Sequence, residues 1–146
     1  MTYLYWLTHQ FGAEAGVAYR DWYASLEKPF FAPPAWLFGI AWGCVYPLIA
    51  IAFALTLFLW RKKRVSSLFV LLFAANIAAN LTFSPTVLAL ASNAANALHI
   101  LVVFGTLVPL VAVAWRDARL VFWLLVPYLL WSAYATALQL GLLFLN

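Results

Sequence analysis

Apolar residues run along this chain in long blocks, broken by short polar interruptions, with no alternation at every second position. About 20 consecutive apolar residues carry a helix across the hydrocarbon core of a bilayer. Three blocks, 36–60, 66–90 and 120–145, meet that length directly. A fourth, 94–115, is bounded by Asn93 and by Trp115-Arg116-Asp117-Ala118-Arg119. The block at 2–19 is weaker, because His9, Gln10 and Glu14 interrupt it, and hydropathy alone leaves it undecided. We read it as a tilted or amphipathic first helix. In lipid every backbone N–H and C=O must find its partner within the protein. The predicted fold is therefore an all-α integral membrane protein: one five-transmembrane-helix bundle over residues 1–146, with a structured loop between its first two helices.

Composition supports that reading. Hydrophobic residues make up 68% of the chain and charged residues 8%, more grease than a soluble fold of this size can hide. The net charge of +4 hardly bears on nucleic acid, because four cations sit in one run, Arg61-Lys62-Lys63-Arg64. Such a run reads as a loop obeying the positive-inside rule. With five spans, the loops at 61–65 and 116–119 share a side with the N-terminus and hold six of the eight Lys and Arg. Arg20 and Lys28 remain on the other side. The rule thus places the N-terminus in the cytoplasm and the 20–35 loop outside; the expected location is multi-pass in a bacterial cell membrane, which the charge pattern itself does not name. The rule fixes the last four helices and is silent on the first. The N-terminus lacks a secretory cleavage pattern, and the single Cys44 excludes an internal disulfide framework or a zinc ribbon. Trp and Tyr near the block ends (Trp36, Trp60, Trp115, Trp123) form an interfacial belt.

Polar side chains at membrane depth face a partner or a cavity, because lipid offers them nothing. Asn76 and Asn80 share one helical face that Phe83 continues. They either hold helices together or mark a polar spot in a ligand cavity, and spacing does not choose. Trp42 and Tyr46 share a face that should meet something polar. Trp131, Ala135 and Leu138 set a large ring beside a small gap, a stripe that reads first as core packing. Pro47, Pro85, Pro109 and Pro127 are expected to kink four spans and open room between them. Ala74 with Ala78, and Ala75 with Ala79, permit close helix approach, within the bundle or between two copies. Glu14 and His99 are too isolated for a proton relay. No nucleophile elbow, carboxylate pair, metal-spaced cluster or phosphate loop is present, so no catalytic residue and no metal ligand is assigned.

One stretch fits no helix. Residues 22–36, WYASLEKPFFAPPAW, are too proline-rich to cross a bilayer as a helix and too aromatic for a spacer. With the preceding Asp21 and the following Gly39, Trp42 and Tyr46, this stretch resembles the TspO/MBR family, the tryptophan-rich sensory proteins related to the mitochondrial translocator protein. Residues 126–138, VPYLLWSAYATAL, are similar to a second family block, and Asn76, Asn80, Phe83 and Pro85 to a weaker third. The resemblance covers about residues 20–138. It implies frequent homodimers and a pocket among the helices, roofed by the stiff 20–35 loop. Family ligands are porphyrins and other tetrapyrroles, sterols in animals, and synthetic isoquinoline carboxamides and benzodiazepines.

By position, Tyr23, Pro33, Pro34, Trp42, Tyr46, Asn76, Asn80, Phe83, Trp131, Ala135 and Leu138 match the implied ligand-binding set. The chain departs from the family pattern at Phe83, Val87-Leu88, Ala95, His99 and Gln139, and it ends without the Tyr and Arg of the animal cholesterol-contact motif. The expected function is a receptor or transporter-like membrane protein that binds a porphyrin, haem-type tetrapyrrole or other flat lipophilic molecule, with no required cofactor. Its expected partners are the lipid bilayer, that ligand and a second copy, and no nucleic acid. The rivals are a porphyrin-degrading enzyme and a signalling or structural membrane partner with a vestigial pocket. If the two asparagines merely bond within the protein and fill the space, the last rival gains.

Overall fold

The structure, a computed structural model, describes residues 21–90 and 92–146. The predicted first segment, 2–19, lies outside the described residues. So do the Pro85 and Val87-Leu88 side chains. After a helical stretch at 21–25 and an irregular strap, four long helices follow: α1 (Ala35–Arg61), α2 (Ser67–Leu90), α3 (Asn93–Asp117) and α4 (Arg119–Leu145). They match the second to fifth predicted blocks to within two residues at each end. Among the described residues there is no strand. Three helical stretches, Trp36–Arg61, Asn93–Asp117 and Arg119–Leu145, are long and apolar enough to cross a membrane, and Ser67–Phe83 is a shorter apolar helix.

The helices are greasy on every face, as a lipid-embedded helix must be. Their inner faces meet in a core of Phe69, Phe73, Val103, Leu107, Leu110, Val121 and Leu125, all fully buried. Phe53 packs edge-on against Phe73 at 5.1 Å. Their outer faces expose Ile51, Phe58, Leu71, Leu101, Val108 and Leu130, a belt of large apolar side chains that water would not tolerate. α1 packs on α2 and α4, and α3 lies between α2 and α4. Pro47, Pro109 and Pro127 sit inside α1, α3 and α4, and each helix runs on through its proline. All three rings are on exposed faces, so the freed carbonyls do not disturb the packed side.

The turns are tighter than hydropathy suggested. Only Ala118 separates α3 from α4, so Arg116 and Asp117 belong to the helix and not to a loop. Ser92 caps α3, its side chain accepting from the Ala95 N–H. The Arg61–Arg64 run does more than carry charge. The Arg64 N–H donates to the Leu59 carbonyl and the Lys63 N–H to the Trp60 carbonyl, at 2.9 and 2.8 Å. This crossed pair is the Schellman helix stop, which places the residue after the cap in the left-handed region. Here that residue is Lys63, with φ of 56°.

Glycine is the ordinary occupant of that position, since a Cβ costs about 1–2 kcal/mol there, and glycine gives back about 0.5–1 kcal/mol in chain entropy. Lys63→Gly is therefore expected to raise stability by roughly 0.5–1 kcal/mol, read as a higher unfolding midpoint in detergent. A lower midpoint would mean that the lysine side chain, not the backbone, holds this turn.

Candidate functional site

The polar positions predicted at depth come together between the helices. Asn76, fully buried on α2, donates through its amide nitrogen to the Val103 carbonyl at 3.0 Å and to Thr106 Oγ1 at 2.9 Å, both on α3. One turn on, Asn80 donates to the Tyr128 hydroxyl of α4 at 2.8 Å. The two side chains thus tie α2 to its neighbour α3 and, across the bundle, to α4. Their amide oxygens are also buried, and neither Oδ1 has a hydrogen-bond partner among the described residues. Each carboxamide spends its donor on the bundle and keeps its acceptor. The bridging role, one of the two readings that spacing left open, is present in both side chains.

Asn80 opens onto a cavity of about 180 Å³ lined by Trp42, Tyr46, Phe83, Ile100 and Val103. Asn76 reaches only a narrower crevice of about 30 Å³, shared with Tyr46, Asn80 and Tyr128. Trp42 and Tyr46 stack with ring centroids 5.1 Å apart. Trp42 also meets Tyr128 and Trp131, each at 6.4 Å, the latter edge-on. The face expected to seek a polar partner is therefore mainly an aromatic one, and Tyr46 is 40% exposed. Trp131 walls a separate open groove with Leu37, Cys44 and Tyr134, and its buried indole N–H has no described acceptor. Ala135 packs against the core cluster and Leu138 is buried at 4% exposure, which is the packing role the stripe first suggested. His99, weighed in the sequence as a relay candidate and as a departure from the family pattern, lies edge-on to Phe83 at 5.4 Å with its Nε2 2.9 Å from the Ala79 carbonyl.

Tyr23, Pro33 and Pro34 do not line this cavity; they belong to the strap region. Burial, with Tyr134 adding to it, pushes the Tyr23 phenol above its ordinary value. The strap is fastened to the end of α4 at three points. Asn146 pairs with the Glu27 backbone, its Oδ1 accepting from the N–H at 2.8 Å and its Nδ2 donating to the C=O at 2.9 Å. Pro29 sits on Gly141, where a Cβ would come within 3.1 Å of the proline ring. Tyr134 donates to the Phe31 carbonyl at 2.7 Å. Sequence reasoning gave Tyr134, Gly141 and Asn146 no role, although Tyr134 lies within the 126–138 block, because their partners are over a hundred residues away.

The described helices and site define a membrane-embedded helical protein with a small aromatic and amide cavity between its helices, beside a strap fastened to the last of them. The TspO/MBR family profile matches residues 2–145, and the chain belongs to that family. It is 32% identical over 129 residues to the tryptophan-rich protein TspO of Archaeoglobus fulgidus, covering 87% of this chain and 81% of that one. It is 33% identical to the protein CrtK of Rhodobacter capsulatus, over 86% and 78% of the two chains. A more distant relative is the translocator protein of Sus scrofa, 31% identical over 81% of this chain and 70% of that one.

The strap's fastening is open to direct test. Asn146→Ala removes one net hydrogen bond from the Glu27 amide, so that amide is expected to exchange with solvent about fivefold faster. Gly141→Leu is expected to speed exchange across residues 27–31 by lifting Pro29. Unchanged exchange in both variants would mean the strap is held by something other than α4.

Proposed function

We propose that this protein is a receptor or transporter-like member of its family that binds a flat, largely apolar ligand between its helices. The class includes porphyrins and other tetrapyrroles. The observation that carries the reading is the Asn80 acceptor: a buried, unpartnered amide oxygen on a residue that lines a cavity walled by Trp42, Tyr46 and Phe83. A buried acceptor without a donor is costly, and a ligand N–H, such as a pyrrole's, would remove that cost. The aromatic walls suit a planar partner.

Size sets a condition. Cavities for drug-sized molecules run about 300–1,000 Å³, and this one holds about 180 Å³. A tetrapyrrole enters only if the Trp42–Tyr46 stack parts, or if the aromatic wall moves with the strap above it. The full reading places five spans in the bilayer, the N-terminus and both basic turns on the cytoplasmic side, and two copies in the working unit. Tyr23, Pro33 and Pro34 then belong to the roof and Trp42, Tyr46, Asn80 and Phe83 to the walls, with Asn76 in the adjoining crevice, Trp131 edge-on behind Trp42, and Ala135 and Leu138 behind them.

A second reading has its own support. Both asparagine donors are spent within the protein, as expected of a signalling or structural partner with a vestigial pocket. Protoporphyrin titration, followed by the shift of the porphyrin absorbance band, separates the two. Truncating a central aromatic contact typically costs at least tenfold in affinity. Trp42→Ala with Trp131→Ala is expected to weaken binding by about tenfold or more. Equal affinity in wild type and double variant favours the vestigial pocket. Porphyrin consumed on illumination would instead establish the enzyme.

A further inference from the structure

A broad concavity lies away from the amide cavity, on the outer seam of α3 and α4. It is a groove of about 730 Å³. Its lining includes the small Ala112 and Ala133 among the larger Phe104, Val108, Phe122 and Leu130. Along α3 it runs from Phe104 to Arg116, which at 1.5 Å per residue is about 18 Å. Half of a hydrocarbon core is about 15 Å. The groove therefore extends from one membrane interface to about the bilayer centre, the reach of one acyl chain in one leaflet.

Its interfacial end is cationic. Arg116 closes the groove beside Trp115, and the Arg119 guanidinium lies flat on the Trp115 ring, 3.4 Å from its centroid. Asp117 is the one acid in that turn. The Arg61–Arg64 run stands at the same end of the molecule: α1 starts at the strap and α4 finishes there, on Glu27, so both basic turns lie opposite it. An apolar trough of leaflet length with guanidinium groups at its mouth matches a molecule that joins a fatty chain to an anion.

We propose that the α3–α4 groove is a binding site for an anionic phospholipid of the leaflet at the basic-turn end. One acyl chain lies along Ala112 and Ala133, and the phosphate-bearing headgroup meets Arg116 and Arg119. This site is separate from the amide cavity and does not depend on what the cavity binds. A zwitterionic lipid of the same chains fills the trough equally well but gains less at its mouth.

The test is native mass spectrometry of the delipidated full chain, offered phosphatidylglycerol or phosphatidylcholine with identical acyl chains. One phosphatidylglycerol is expected to be retained in preference. One basic side chain at an anionic headgroup is worth about fivefold, so Arg116→Gln is expected to cut the preference by about that factor and Arg116→Lys to keep it. Ala133→Phe fills the trough and is expected to lower retention of both lipids; Ala112→Phe serves the same purpose if that variant does not fold. Equal retention of the two lipids by wild type overturns the proposal, as does an Arg116→Gln protein with unchanged preference. A groove-filling variant that alters dimer population but not lipid retention also overturns it, and assigns the groove to a second copy.

Discussion

Lipid gives two packed helices almost no hydrophobic reason to stay together, since the tails are as apolar as the side chains. Association rests instead on close fit and on the few polar groups at depth. In this protein that constraint sorts its polar side chains by reach. The hydroxyls of Thr56, Thr82, Thr86, Thr106 and Thr136 donate to carbonyls of their own helices, and Thr106 also accepts from Asn76. The carboxamides of Asn76 and Asn80 reach across, to α3 and α4. An amide carries donors and an acceptor on opposite edges, so a bridge that uses one edge leaves the other for whatever lies beside it. The candidate cavity is in this sense a by-product of how the bundle is tied.

The same helix that receives Asn80 also seats the strap. Tyr128, Trp131 and Tyr134 follow each other along α4 and pass from the asparagine, through Trp42, to Phe31. Ring meets ring along this whole path. A shift of the strap and a shift of the cavity wall therefore involve the same side chains. Contact alone does not measure coupling, but it identifies α4 as the element both would move.

The two ends of the molecule differ in kind. At one, the strap is held by backbone pairing with Asn146 and by the close approach of Pro29 to Gly141. At the other, short turns carry most of the cations, and one of them doubles as a helix stop at Lys63. The tight turn geometry there serves the packing of successive helices.

Local pattern was enough to locate the four long helices, because a membrane-spanning helix is specified by apolar length and needs no knowledge of its neighbours. It was also enough to find the Asn76–Asn80 face, the Trp42–Tyr46 pair and the exceptional character of residues 22–36, since each departs from grease in a way visible within a few residues. The division of labour within each asparagine was decided only in three dimensions, as were the small size of the cavity and the seating of the strap on Tyr134, Gly141 and Asn146. Those depend on which residues from other helices, tens to more than a hundred positions away, arrive within contact, and sequence spacing encodes distance along a helix, not across the gap between two.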